Sequence, residues 1–257
     1  RLWSVQGYLI VFAIAGAIGI STQGSAGGLA GTVGVNSAVS EALVRNATVN
    51  AADTRVEGAT SSQHISVAAA GGYGANASIN GSFVINFATE RTTAQVNDSA
   101  VTGSTLSVKA GDDASLAAQV YTGAGSFGFS KDVAGGAALT SNTVALNREA
   151  TVDRSELTLG AASDALVVQA DSSVKMIGVT VAGGGGTGVA FNGAISSNEI
   201  ANVTKARVSG STVTQTGGAS VLAADRSEMN YGTGAVSIGS DSLVGGKGTD
   251  IYVVDDV

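Results

Sequence analysis

Two aspartates near the end of this 257-residue chain stand in a spacing suited to hard cations. Gly239-x-Asp241-x-Leu243 is followed nine residues later by Gly248-x-Asp250-x-Tyr252, and the second copy opens on Gly245-Gly246. The glycines permit a sharp turn, and each aspartate offers a carboxylate oxygen of the kind that calcium takes. The apolar residue that follows points into a narrow roll. Asp241 and Asp250 are therefore the candidate metal ligands and calcium the candidate cofactor; an ordinary Gly/Asp turn is the plainer role.

The other reactive side chains are few and scattered. The single histidine, His64, lies in Ser61-Ser62-Gln63-His64-Ile65 with no carboxylate close in sequence, and reads as a surface residue on a polar strand edge. Asp112-Asp113 and Asp255-Asp256 are the only adjacent acids, and Asp113 falls on a repeat position, which favours a turn role. Arg148-Glu149 and Arg154-x-Glu156 read as solvated strand faces. The sequence shows no Ser–His–Asp order, phosphate loop or histidine cluster, and too few aromatics for a sugar platform, so no active site is expected. Zero cysteines exclude disulfides and thiolate metal sites. A net charge of -7 makes nucleic acid a poor partner and leaves room for divalent cations.

The elements that hold these residues announce themselves by repetition. One phrase runs Asn142, Ala150-x-Val152-x-x-Ser155, Asp171-x-Ser173, and returns as Asn198, Ala206-x-Val208-x-x-Ser211, Asp225-x-Ser227. An earlier copy runs Asn86, Ala94-x-Val96-x-x-Ser99, Asp113-x-Ser115, and a blurred first copy holds Asn36 and Ala47-x-Val49. The displacement is about 56 residues, and such self-similarity marks solenoids, propellers or arrays.

Between the anchors, short apolar or alternating runs such as Ile177-Gly178-Val179-Thr180-Val181 alternate with Gly, Asn, Asp and Ser clusters, and no helical periodicity persists. The expectation is an all-β protein of strands 4–6 residues long. The lack of proline fits a continuous ladder that needs its N–H donors. A 56-residue unit divides into three coils of about 18–20 residues, which predicts a parallel β-helix of about 13 coils and about 60–65 Å. Residues 1–235 would form this solenoid, and 236–257 a segment that continues or ends it. The recurring Asn and Ser take corner positions, where Asn tolerates left-handed backbone and also stacks in ladders. The Gly-rich runs are either tight corners or places where a neighbouring chain packs close. Leu9–Ile20 is too short to cross a bilayer and is expected as a buried strand pair of a further repeat, with no membrane insertion. Starting at Arg1 without a leader, the chain reads as a piece of a longer polypeptide.

Two resemblances follow from these motifs. The segment Val236 to Asp255, with Gly-Gly-Lys-Gly-Thr-Asp-Ile-Tyr-Val at its centre, resembles the calcium-binding nonapeptide of RTX proteins, although Val236 and Ser237 replace the first copy's glycine pair. In that family calcium lies between turns from alternate copies, so two copies do not close a full site. The 56-residue phrase, from about Leu9 to Ser227, resembles the repeats of filamentous-haemagglutinin-like adhesins and autotransporter passengers. That resemblance implies a right-handed parallel β-helix on or outside a Gram-negative cell. The function expected is a structural or adhesive, filament-forming segment of a large secreted or cell-surface protein, without catalysis. It would self-associate end-to-end or laterally, and host or matrix glycans are its possible targets. The alternative is a calcium-dependent β-helix carbohydrate-active enzyme or a glycan-binding module.

Overall fold

The computed structural model describes residues 2–111, 118–244 and 249–255, and among them every regular element is a strand and every pairing is parallel. β1 (Leu2–Ser21) and β2 (Ser25–Arg45) are long strands joined by a tight corner, followed by the short β3 (Thr48–Asn50). The same order then recurs as β4 (Asp53–Gly74), β5 (Ala77–Asn97) and β6 (Ala100–Thr102). In the third pass β7 (Thr105–Gly111) and β8 (Ala118–Ser130) precede β9 (Val133–Asp153) and β10 (Glu156–Thr158). The fourth comprises β11 (Leu166–Ser172), β12 (Val174–Ile200), β13 (Val203–Ser209) and β14 (Thr212–Thr214). β15 (Ala219–Asp225), β16 (Glu228–Val244) and β17 (Thr249–Asp255) follow.

The register shows what the repeat is for. Ala94 lies beside Ala42 and Ala150, Ala150 beside Ala206, and each step advances the chain by 52 or 56 residues. One repeat unit therefore contributes one strand to each ladder. The division into three coils of 18–20 residues, and with it a body of about 13 coils, is overturned. Its deepest column runs Ile14, Val67, Gly123, Val179, Gly232 and Thr249, about 24 Å from end to end at ~4.8 Å per strand.

Strand length departs from expectation for a related reason. Glycines and small polar residues that read as turn signals are carried inside strands of 20 or more residues, such as β1, β4 and β9. Ladder pairing on both sides supplies the hydrogen bonds, and no proline interrupts them. Leu9–Ile20 is accordingly part of one strand rather than a buried pair, and Ile14, Ile18 and Ile20 on it are exposed.

Alternation decides the inside. In β5 nearly every second residue is buried, from Ser78 through Val84 and Glu90 to Val96, while the residues between them face outward. Inward side chains of β4 meet those of β5: Ser66 Oγ donates to Asn86 Oδ1 at 2.7 Å, and Thr60 meets Thr92. The interior is thin, so Ala, Val, Ser and Thr fill most of it, in three apolar clusters.

At the corner between these two faces the backbones approach so closely that no side chain fits. A Cβ on Gly128 would lie 2.4 Å from Gly135 O, and one on Gly136 would lie 2.6 Å from Gly183 O. Of the two readings open for the glycine-rich runs, the tight corner holds here. Asn80 and Asn192 use the room these glycines leave: the register column runs Gly28, Asn80, Gly136, Asn192, alternating small and large.

Candidate functional site

Three titratable side chains meet inside the molecule, where sequence reading placed none. Strand alternation turns Thr60, Ser62 and His64 of β4, Glu90 and Thr92 of β5 and Arg148 of β9 inward. Arg148 Nη2 donates to Glu90 Oε2 at 2.7 Å, with both side chains 0% exposed. Arg148 Nη1 donates to Thr92 Oγ1 at 2.7 Å and Nη2 to the Thr60 carbonyl at 3.3 Å. Ser62 Oγ donates to the other carboxylate oxygen, Glu90 Oε1. His64 is buried too, and neither ring nitrogen has a hydrogen-bond partner among the described residues. Burial holds its pKa below the ordinary histidine value, with the Glu90 charge pulling weakly the other way.

Both assignments made from sequence are thus corrected: His64 is a core residue rather than a surface one, and Arg148 is buried rather than solvated. The signal for Arg148 was present in the phrase itself, because it is two residues before the buried Ala150, on the same strand face. For His64 the surrounding serines concealed it, since this interior is lined with Ser and Thr as well as Ala and Val. Chemically the cluster holds charge: Glu90 is engaged at both oxygens, and a substrate would have to open the core to reach it.

The second constellation is the corner after β5 and β9. Asn46, Asp98, Arg154 and Gly210 occupy equivalent corner positions, and all four have positive φ, between 44° and 58°. A serine follows each at the next position but for Ala47. Ser99 Oγ accepts from Ala47 N–H, Ser155 Oγ from Ser99 N–H, and Ser211 Oγ from Ser155 N–H, a ladder that knits the corner across units. The serines of the repeated phrase therefore do take the corner role expected of them. Arg154 reaches Asp98 through two bonds, Nε to Oδ1 at 2.7 Å and Nη2 to Oδ2 at 2.9 Å, and this pairing holds the Asp98 carboxyl below its usual pKa. The pair is exposed, so it is worth little in free energy.

The recurring asparagines leave the corner. Asn86, Asn142 and Asn198 stack mid-strand, each Nδ2 donating to the next Oδ1 at 2.7 Å. Tyr231 passes over Gly178, where there is no Cβ to block it, and its hydroxyl accepts from Asn142 Nδ2 at 3.0 Å. The first copy of the phrase is relocated: Gly34, not Asn36, lies in the asparagine column, and Ala42-x-Val44, not Ala47-x-Val49, in the Ala-x-Val columns. Asp113-x-Ser115, with Asp112, lies outside the described residues, as do Gly245–Gly248 and Asp256.

Asp241 and Asp250 fall on β16 and β17. Asp250 is in register with Thr233, and Asp241 with Ala190 of β12, so the backbone does not set the two aspartates side by side. Among the described residues no group of three or more His, Asp or Glu side chains converges as a metal site.

The fourth feature is a face. On the outer side of β1, β4, β8, β12 and β16, the five columns from Phe12 to Ile20 contain no Asp, Glu, Lys or Arg at any level. Ile18 is 83% exposed and Phe129 49%. The charged side chains gather instead at the opposite end of the strands, among them Asp98, Asp153, Arg154, Asp171 and Arg226. Among the described residues, no helix is long and apolar enough to cross a membrane. Compared with known proteins, the chain matches no family model, no curated protein and no solved structure.

Proposed function

We propose that this chain is a segment of right-handed parallel β-helix serving as a structural and adhesive part of a large secreted or cell-surface protein of a Gram-negative bacterium. The observation that carries this is the register. Over strands of 20 residues or more, each residue is backed by its equivalent one repeat unit away, in columns that keep Asn on Asn and Ala on Ala. Parallel strands joined by crossovers within one sheet are right-handed in nearly all proteins, which supports the hand. Such a body resists stretching and proteolysis because its backbone groups are tied into long ladders and its corners are short. Binding would be spread over a repeated face, and the reactive groups of the core take no part in catalysis.

Two measurements test this reading. Tandem duplication of residues 119–174 inserts one whole unit, so the variant should fold, with an unchanged or higher Tm and a body longer by about 4.8 Å. Insertion of half that segment should break the register and unfold the chain. Electron microscopy with and without a calcium chelator gives the second check. Rods or filaments that survive chelation support the reading; compact particles, or rods that dissolve without calcium, sink it and make calcium the organising cofactor.

A further inference from the structure

The charge-free face of β1, β4, β8, β12 and β16 is too large to be left to solvent. Nine residues along the strand at ~3.3 Å and five strands at ~4.8 Å give a footprint of roughly 600 Å². A monomer rarely exposes a contiguous apolar patch beyond about that size, whereas each partner of a standard protein interface buries about 800 Å². The footprint alone matches half of a stable dimer.

We infer that this face pairs with the same face of a second copy, about a two-fold axis that lies along the strands between β8 and β12. The inference rests on the reading of the chain as a self-associating structural element, and it names the surface. What points to the axis is the order of side-chain sizes up each column. One column runs Val67, Gly123, Val179, Gly232, and another Gly71, Phe127, Gly183, Val236. A two-fold between the second and third members of these columns sets Val67 against the partner copy's position 232, and likewise 123 against 179 and 71 against 236. In all three pairs a valine meets a glycine. The space is there to receive it: a Cβ on Gly232 would meet nothing within 4 Å, one on Gly71 would find its nearest atom at 3.9 Å, and one on Gly123 at 3.8 Å. At the centre, Phe127 leans across Gly183, so the middle of the face is flat and the two copies meet ring to ring there. Face-to-face sheets pack about 10 Å apart, a separation these side chains span. Residue i meets j and j meets i, as an isologous contact requires.

The chain contains no cysteine, so single thiols report the geometry. Gly71→Cys and Val236→Cys variants of the full chain, mixed and treated with a short bis-maleimide, should cross-link at least tenfold faster than either variant alone. In either alone the two thiols lie three strand spacings, roughly 14 Å, further up the ladder from each other. Sedimentation velocity should show a concentration-dependent dimer, and Val179→Asp should raise its dissociation constant at least a hundredfold with the circular dichroism unchanged. The proposal is overturned by a wild-type chain that stays monomeric at every concentration, or by association that Val179→Asp leaves intact, which would mean end-to-end contact. Equal cross-linking of the single variants overturns it too, as does flotation of the wild type with phosphatidylcholine vesicles in place of dimerisation. A folded monomer that tolerates the 56-residue duplication would remove the dimer alone; a chain that fails the duplication would remove the underlying reading as well.

Discussion

Removing Arg148 while keeping Glu90 should be among the most damaging single changes to this chain. The guanidinium donates to Glu90 at 2.7 Å, and both side chains have 0% exposure. Arg148→Met keeps most of the volume but leaves a carboxylate in the core with Ser62 as its remaining donor. Breaking one partner of a buried ion pair costs about 3–5 kcal/mol, because the remaining charge is desolvated without compensation. At roughly 2–4 °C per kcal/mol for a chain of this size, the fall in Tm is about 6–20 °C. The double variant Arg148→Met/Glu90→Leu removes both charges, and well-packed apolar replacements of buried pairs are neutral or stabilising by about 1–4 kcal/mol. It should therefore recover most or all of the loss. Urea unfolding of wild type, both single variants and the double variant gives the coupling directly. If Arg148→Met costs under about 1 kcal/mol, or the double variant loses the sum of the two singles, the buried-pair argument is wrong.

Other consequences follow from the same geometry. His64 has a folded pKa below its unfolded value, so neutral His64 contributes stability that is complete above the unfolded value near 6.5 and is lost as pH falls through the folded one. The groups facing it are Glu90 on β5 and, through Glu90, Arg148 on β9; the stability of wild type should fall between neutral and mildly acidic pH, and His64→Leu should flatten that slope. Gly128→Ala places a Cβ 2.4 Å from Gly135 O and should cost about 1–3 kcal/mol or more, whereas Gly232→Ala meets open space and should change the unfolding midpoint little. Asn142→Ala cuts the ladder on both sides and strands Asn86 Nδ2 and Asn198 Oδ1, at about 1–3 kcal/mol for each buried group left without a partner.

How much of this was legible in the sequence depends on which residues one takes. The all-β parallel character was written in the 56-residue phrase, in the small and β-branched composition and in the absence of proline. The height of the repeat was not. Glycine and serine clusters inside β4 and β12 read as turns because, in most proteins, such residues end strands. Here they continue them, since an inward Gly or Ser is what a thin interior demands and the ladder above and below compensates for weak strand propensity. The same thinness hid His64 and Arg148. A sequence rule that sends polar residues outward fails where the inside is lined with Thr60, Ser62, Ser66 and Thr92.

The blurred first copy shows how one short displacement can mislead. Matching Asn36 and Ala47-x-Val49 to the later anchors requires inserted residues, whereas the chain uses a uniform step of 52 residues from β2 to β5 and from β3 to β6. The missing four residues leave the long faces untouched. They fall in the charged end, where β4 runs on unbroken and the later units separate β7 from β8 and β11 from β12. Variation in unit length is thus confined to the end of the cross-section that carries the ions, and the apolar end keeps its columns aligned through every level. If that apolar end is the surface that meets a second copy, this division has a physical reason. A contact built on Val against Gly tolerates no slip in register, since a shift of one residue turns every such side chain to the other face.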